Sequence, residues 1–569
     1  MIGLVAATAN GGRNARHLRD SWPDAVLYEG VVRESVARAW RECDGVVIFL
    51  ATGAALRLVS GLLGDKDEDP GVVTVDDGCR FAVSLCGGHE GGANELARRV
   101  AGSLGAEPVI TTASEAVETP SLGAFGAELG FTVEDGPDLA AVGRAVVSGD
   151  EVLLVSERRW PLGPLPHNVV RAESPRSGTP SVVISDRIEA PGRSSRPSVV
   201  YRPSSLVVGV GCSRGAAADE ILGLLRSSLR EAGLSEKSVA RLASVEAKRD
   251  EAGPHEAAAI LGVGITFYPA EALSTIEAPN PSEAVMRAVG TPSVSEAAAL
   301  AEGGELVVEK QKSANATVAV VRTPVRGRLY LISLGPGDDG LIPPMAREAL
   351  WRSALVVGLD QYVDRVRHVL RPGTRVEMPP LGSEVERAET AILEARAGGS
   401  AALVSSGDIG VYAMGSPALE ALGDADGEVE VISVPGITAA NAAASLLGSP
   451  LGHDHCSISL SDLLTPWEAI ERRIRAAGAG DFVVSFYNPR SRGRDWQLGK
   501  ARDILLEHRS RETPIGLVTD AYRPTQTVKV TDLGSLRVED VDMLTVVIVG
   551  GSQTRVMDGR MVTPRGYTL

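Results

Sequence analysis

The chain has 569 residues, too many for one hydrophobic core, so roughly three to five domains are expected. A formal net charge of −16 excludes a broad basic face for nucleic acid or an anionic membrane surface, and leaves room only for a local basic pocket. Aromatic residues make up 4% and glycines number 63, which predicts cores of Ala, Val, Leu and Ile and many backbone-led turns.

Met1 leads directly into the strand-like run IGLVAAT with no basic leader. No apolar run reaches the about 20 residues that span a bilayer, so a cytoplasmic protein with no membrane partner is expected. Cys43, Cys79, Cys86, Cys212 and Cys456 are scattered and free of CxxC spacing, which predicts reduced thiols and neither disulfides nor a metal site.

Residues 1–115 alternate strand and helix patterns: IGLVAAT before the turn NGGRN, GVVIFLATG before a short helical stretch, and RFAVSLCGG before the helix in HEGGANELARRVAGSLG. There His89 falls at a strand end, with Asn94 and Glu95 in the first turns of the helix. Such a histidine serves either as an acid or base near neutral pH or as a capping group satisfied within the core. Residues 116–170 carry weaker periodicity around one strand, EVLLVSE, and 171–205 read as a Pro, Ser and Arg-rich linker around the short strand SVVIS.

A new α/β unit opens at SLVVGVGCSRGAAADEILGLLRSSL and runs to ATVAVVR, with the joint TPVRGR at 323–328. Gly209, Gly211 and Gly215 follow GxGxxxG spacing, and no acidic residue ends a second strand. This argues against a dinucleotide site and for a glycine nest at a helix start that binds a carboxylate.

From 329 to the end the pattern alternates again, with strands at 329–334, 402–405, 429–434, 482–487, 515–519 and 544–549, so parallel βαβ connections are predicted. Three runs end abruptly in glycine: LYLISLGPG (329–337), LVSSGDIGVY (403–412) and VISVPGITAANAAAS (431–445). Strands of an open sheet end this way where ligands bind, and glycine lets main chain lie against a ligand. Asp408, within the second, reads as an Asx-turn or cap when taken alone, and as a polar anchor for an ammonium or hydroxyl beside two other glycine ends. The Ala, Asn and Ser-rich helix after Gly436 suits either a flat ligand or close packing on another element.

The segments LGPGDDGLIPPMAREAL, SSGDIGVYAMGS, VPGITAANAAASLLGSPLGHDHCSISLSDLLTPWEAIERR, SFYNPRSRGRDWQLGKARDIL and GGSQTRVMDGRMVTPRGY resemble the tetrapyrrole methylases, and within them the precorrin-3B C(17)-methyltransferases of cobalamin biosynthesis. The resemblance spans 328–569 and implies two α/β lobes, usually in a homodimer, with S-adenosylmethionine between them and a small-molecule corrinoid or precorrin substrate. Carried over by motif, the cofactor contacts are Pro336, Ser406, Gly407, Asp408, Val411, Thr438, Ala439, Asn488 and Ala521. Ile409 stands where proline is commoner in the family. For ring contraction Asp408, Tyr487 and His453 are chemically capable acids or bases, while Arg490, Arg492 and Arg494 suit either the substrate's carboxylates or a solvated loop.

The pieces FLATGAALRLVSGLLGDKDEDPGVVTVDDGCRFAVSLCGGHEGGANELA, VITTASEA, VGVGCSRG, ASVEAKRDEAG, VGTPSVSEAAAL and ELVVEKQKSANATVAV resemble the cobalt-precorrin-5A hydrolases. This implies lactone opening with loss of acetaldehyde, for which His89, Glu95, Lys248 and Glu251 are the polar candidates on matching motifs. The loops CSRG and CGGHEGG depart from that family's usual pattern. The expected architecture is multidomain α/β: a hydrolase-like unit at 1–115, a poorly matched region at 116–205, a second hydrolase-like unit at 206–323 and a two-lobed methylase at 328–569. In the alternative, only the methylase is catalytic and the front half is a tetrapyrrole-binding module.

Overall fold

The computed structural model describes residues 1–64, 69–88, 91–111, 122, 125–134, 138–190, 197–424, 427–491 and 493–567. The chain forms two compact units, Met1–Glu157 with Pro166–Thr323, and Arg158–Leu165 with Pro324–Leu569.

The first unit contains three sheets. The first has the order β2-β1-β3-β4-β5-β6, from β1 (Ile2–Ala6), β2 (Ala25–Tyr28), β3 (Gly45–Phe49), β4 (Gly71–Val75), β5 (Phe81–Cys86) and β6 (Glu107–Val109). The helix Ala93–Leu104 packs on it because Ala93, Leu96, Ala97, Val100 and Ala101 recur on one face, and it stops at Gly105, whose φ is +67°. β5 runs antiparallel to β4. The two are joined by a tight turn in which the Asp76 carboxylate accepts from the amides of Gly78, Arg80 and Phe81, which leaves no length for a crossover helix.

The expected strands EVLLVSE and SVVIS are β8 (Val152–Ser156) and β10 (Ser181–Ile184) of a second sheet, β7-β11-β10-β8-β9, with β7 (Thr132–Val133), β9 (Val169–Ala172) and β11 (Ser198–Arg202), so the stretch 171–205 expected as linker contributes strands to a sheet. Most of the prolines of this stretch fall between its short strands, and Leu153, Val155, Val183 and Val200 form the core. Arg202, 1% exposed, is held by Glu134 and by main-chain carbonyls of Ser185 and Ile188. The third sheet, β14-β13-β12-β16-β15, comprises β12 (Leu206–Cys212), β13 (Val239–Val245), β14 (Gly264–Tyr268), β15 (Glu305–Lys312) and β16 (Ala316–Arg322), the last pair antiparallel.

The second unit has two lobes. Lobe one is the parallel sheet β19-β18-β20-β17-β21, from β17 (Gly327–Ser333), β18 (Leu355–Val357), β19 (Arg375–Glu377), β20 (Ser400–Ser405) and β21 (Val429–Val434). The segment Arg158–Leu165 packs on it: Leu162 is buried and its carbonyl accepts from Ser400 Oγ at 2.7 Å, while Arg159 and Arg375 both pair with the buried Glu394. After β21, the helix Ala439–Leu447 leads to β22 (Gly448–Ser449), which joins β29 (Arg560–Val562) and β28 (Arg555–Met557) in a small sheet. Lobe two is β23-β24-β27-β25-β26, from β23 (His455–Ser459), β24 (Val483–Tyr487), β25 (Pro514–Thr519), β26 (Thr527–Asp532) and β27 (Thr545–Val549), with β27 antiparallel to both β24 and β25.

Candidate active site

Because β20, β17 and β21 are parallel neighbours, the three glycine-rich ends emerge side by side at one carboxyl edge. Gly335 and Gly407 exchange two backbone hydrogen bonds of 3.1 and 2.9 Å. Their φ values are +65° and +68°, a conformation that costs glycine nothing. Ser333 Oγ accepts from the Ile409 amide at 2.9 Å. Asp408 ties two loops together: Oδ1 accepts from Gly410 N and Oδ2 from Gly436 N, each at 2.9 Å. The carboxylate therefore closes an Asx turn and also bridges to the third loop, and its remaining lone pairs are available to a donor. A Cβ at position 436 would stand 2.4 Å from Ser333 Cβ and 2.5 Å from Gly407 O, so the loops meet only because no side chain intervenes.

The facing edge belongs to lobe two, where β23, β24 and β25 all run the same way. Thr438 caps the helix Ala439–Leu447 by accepting from Asn441 N at 3.2 Å, and Ala440 N donates to Tyr487 Oη at 3.0 Å. The Tyr487 ring lies 5.0 Å from that of Tyr412, whose hydroxyl donates to Ser457 O at 2.9 Å. Burial pushes the Tyr412 phenol above its ordinary value. A Cβ on Gly407 would lie 3.8 Å from Ala439 N, and one on Gly337 would lie 3.0 Å from Ala521 O. Pro336, Ser406, Gly407, Asp408 and Val411 thus sit on the loops of lobe one, with Thr438, Ala439, Asn488 and Ala521 at the opposed strand and helix ends. Of the two readings of the Ala-rich helix, close packing is the one observed. Ala443, Ala444 and Leu447 are buried against Val483, Val518 and Val546, and a Cβ at Gly516 would come within 2.2 Å of Leu447.

His453 is not part of this group. It is exposed and precedes β23, so about 16 Å of strand separates it from the edge that carries Tyr487. The arginine loop is also corrected. Arg494, 6% exposed, donates to Asn488 O at 2.8 Å, and Arg490 donates to the carbonyls of Val538 and Val541, so both brace main chain; Arg492 lies outside the described residues. Tyr412, Asp520, Tyr522 and Arg523 were not foreseen. Among the described residues seven non-glycine positions have positive φ, and Tyr412, Asn488, Asp520 and Tyr522 lie on these loop ends. Strained backbone of this kind concentrates at functional sites, but nothing in a tyrosine's sequence neighbourhood announces it.

In the first unit the candidates fall on two sheets. His89 lies outside the described residues. Asn94 is buried and accepts from Ser84 Oγ at 2.8 Å, whereas Glu95 is exposed and pairs with Arg98 at 3.6 Å, so Glu95 turns away from Asn94. Because β5 is antiparallel, its end lies at the amino edge of β1–β4. On the third sheet, Glu251 Oε2 accepts from Gly215 N at 2.8 Å and Oε1 lies 3.6 Å from Lys248 Nζ. The nest thus binds a carboxylate, and that carboxylate is the chain's own. The Gly215 amide holds the Glu251 carboxyl below its ordinary range, aided by the Lys248 and Arg214 charges, while burial pushes the neighbouring Cys212 thiol up. Gly209 serves packing: a Cβ there would be 1.7 Å from Ser295 O. Glu296 of the SEAAAL motif is fully buried and accepts from Asn280 N, Asn280 Nδ2 and Lys310 N at 3.0, 2.8 and 3.1 Å, an internal brace.

The second unit is thus a two-lobed α/β protein whose glycine-rich strand ends gather at one sheet edge, and residues 328–537 match the family described as Tetrapyrrole (Corrin/Porphyrin) Methylases. Residues 34–115 and 206–321 match Cobalamin synthesis G N-terminal and Cobalamin synthesis G C-terminus. A Salmonella typhimurium protein named "probable cobalt-factor III C(17)-methyltransferase" is 48% identical over 241 residues, 42% of this chain and 100% of its own length. The cobalt-precorrin-5A hydrolase of Priestia megaterium is 34% identical over 312 residues, 52% of this chain and 83% of its own. The crystal structure of the methyltransferase CobJ is 39% identical, covers 42% of this chain and 100% of that one, and has a TM-score of 0.40. The chain belongs to the C(17)-methyltransferase family of cobalamin biosynthesis in its second unit and to the cobalt-precorrin-5A hydrolase family in its first.

Proposed function

We propose that the second unit methylates C(17) of precorrin-3B or cobalt-factor III with ring contraction, using S-adenosylmethionine, and that the first unit opens the lactone of cobalt-precorrin-5A. The observation that supports the first half is the meeting of three glycine-rich strand ends, bridged by Asp408, with the Tyr487 and Ala521 ends of lobe two. The residues present suit the methyl donor: glycines that leave no Cβ in the way, and one carboxylate for a hydroxyl or ammonium. When bound, the donor supplies an electrophilic methyl group on a sulfonium.

The chain's part in methyl transfer is alignment, since an in-line displacement gains most from correct placement of its partners. The Pro336, Ser406–Asp408, Thr438–Ala439, Asn488 and Ala521 segments hold and orient. Ring contraction, which extrudes C-20, needs a positioned acid or base. Tyr487 suits it, because its oxygen accepts from Ala440 N and its own O–H stays available as a donor. Asp408 remains the other candidate at this edge.

For lactone opening, His89 and Glu95 of the first sheet region and Lys248 and Glu251 of the third sheet remain the polar candidates. In a second reading the first unit binds tetrapyrrole without catalysis; the observation that favours it is that Glu251 is already engaged by the Gly215 amide and by Lys248. We propose a homodimer formed through the methylase unit, and a cytoplasmic location consistent with the lack, among the described residues, of any helix long and apolar enough to cross a membrane.

One experiment tests both halves. The full chain is incubated with S-adenosylmethionine and either metal-free precorrin-3B or cobalt-factor III, and separately with cobalt-precorrin-5A. Mass spectrometry should find one added methyl group and a contracted ring, and the second reaction should release acetaldehyde. Failure to methylate either substrate overturns the first assignment. Corrinoid binding without acetaldehyde selects the binding-module reading.

A further inference from the structure

The geometry points to Arg523 as a positioning residue that latches the two lobes of the second unit across the methyl-donor cleft; this inference rests on the methyltransferase reading above. Three successive carbonyls of the LGPG loop meet guanidinium groups. Arg365, on the lobe-one helix Asp360–Val366, donates to Leu334 O at 3.2 Å and Gly335 O at 3.5 Å. Arg523, from the turn after β25 in lobe two, donates Nε to Pro336 O at 3.2 Å. The next residue, Gly337, lies so close to that turn that a Cβ would fall 2.4 Å from Arg523 Cγ and 2.8 Å from Tyr522 O. Main chain of one lobe therefore rests on main chain of the other, and the Arg523 side chain spans the contact.

The turn that presents Arg523 is itself braced. Asp520 Oδ2 accepts from Thr525 Oγ1 at 2.7 Å and Oδ1 from Arg523 Nη1 at 3.5 Å. The Tyr522 amide donates to Gln526 Oε1 at 2.7 Å, and its hydroxyl lies 2.8 Å from Ser445 Oγ on the helix Ala439–Leu447. Asp520 and Tyr522 hold φ values of +51° and +59°, a conformation that L-residues adopt only where surrounding contacts impose it. Burial lowers the Arg365 pKa, and the Arg523 charge beside it lowers it further. The two cations are held near each other because each has its own carbonyl of the loop to satisfy.

Pro336 and Ala521 are the proposed donor contacts on opposite lobes, and Arg523 fixes their separation. It acts through the loop and transfers no proton. Loss of its charged hydrogen bond should let the LGPG loop part from lobe two and loosen the cleft, weakening donor binding by roughly tenfold to a hundredfold.

The test uses the full chain as wild type, Arg523→Ala and Arg523→Lys. Amide hydrogen exchange is measured on peptides covering 334–338, with S-adenosylhomocysteine affinity by calorimetry and kcat and KM for the methyl donor. Arg523→Ala should speed exchange at 334–338 and raise the dissociation constant and KM far more than it lowers kcat. Arg523→Lys, which keeps a donor for Pro336 O, should recover part of both. Unchanged exchange at 334–338 overturns the latch whatever the cofactor does. Faster exchange with unchanged donor affinity overturns its link to the cleft. If the wild type itself does not bind S-adenosylhomocysteine, the methyltransferase reading fails and the cofactor role of Arg523 falls with it, while the exchange data still report on the contact between lobes.

Discussion

Removal of the Asp408 carboxylate tests the cleft most directly. In Asp408→Ala the amides of Gly410 and Gly436 each lose an acceptor 2.9 Å away. Hydrogen bonds to a charged group contribute about 1.5–3 kcal/mol each. Asp408 is half-buried, so water recovers part of both, and a loss of stability near the lower figure is expected, about 1.5 kcal/mol. The larger consequence is local. With its bridge gone, the SGDIG loop is no longer held against PGIT, and a ligand must order both. Affinity for S-adenosylhomocysteine, measured by calorimetry, should fall by roughly tenfold to a hundredfold. Asp408→Asn sharpens the test: its carbonyl can keep the Gly410 amide, but its NH₂ then faces the Gly436 amide, so affinity should fall there as well. If folded Asp408→Ala binds S-adenosylhomocysteine as tightly as the wild type, the carboxylate neither contacts the donor nor shapes its site.

A protein beginning at Pro324 should fold and methylate without the first unit; fused to residues 158–165 it should melt higher, because Leu162 is buried and Arg159 pairs with Glu394, and equal melting would refute that role. In the full chain, His89→Ala combined with Glu251→Ala should abolish acetaldehyde release, a general base being worth about 10²–10⁴ in rate, while methyl transfer persists. Retained release would remove both residues from the chemistry. The hydrogen bond from Arg99 depresses the Asp24 carboxyl from 3.8 to about 2. Its stabilisation is accordingly present above pH 3.8 and lost as pH falls toward 2. The pair is largely exposed, so the difference should stay under about 1 kcal/mol. Urea titrations of wild type and Asp24→Asn should converge over that window, and parallel curves would show that the pair contributes nothing.

The methylase strands were legible in the sequence, because β-branched runs ended by glycine specify strand and terminus through local sterics alone. The strand expected at 482–487 is Val483–Tyr487, and that at 515–519 is Pro514–Thr519. Local physics served less well where one signal fits two outcomes. Pro, Ser and Arg mark a linker or the turns of a sheet with short strands, and only the burial of Leu153, Val183 and Val200 decides for the sheet. The DDGC turn after β4 likewise reverses the chain, and with it moves the glycine loop after β5 to the other edge.

What the sequence determined by itself is the list of elements and the chemistry available to them: three glycine ends, an aspartate in a turn, a tyrosine at a strand end. Which of these meet was decided by tertiary structure alone. The order β20-β17-β21 sets the three ends beside one another, although 400–405 and 327–333 are far apart along the chain. Tyr487 reaches the cleft and His453 does not, because they occupy opposite ends of two paired parallel strands. Arg494 braces a carbonyl and Arg523 spans two lobes, though both are arginines in polar loops. The physical reason is range. Backbone sterics and side-chain periodicity act over a few residues, whereas hydrogen bonding and packing across a cleft depend on contacts that exist only once the sheets have assembled.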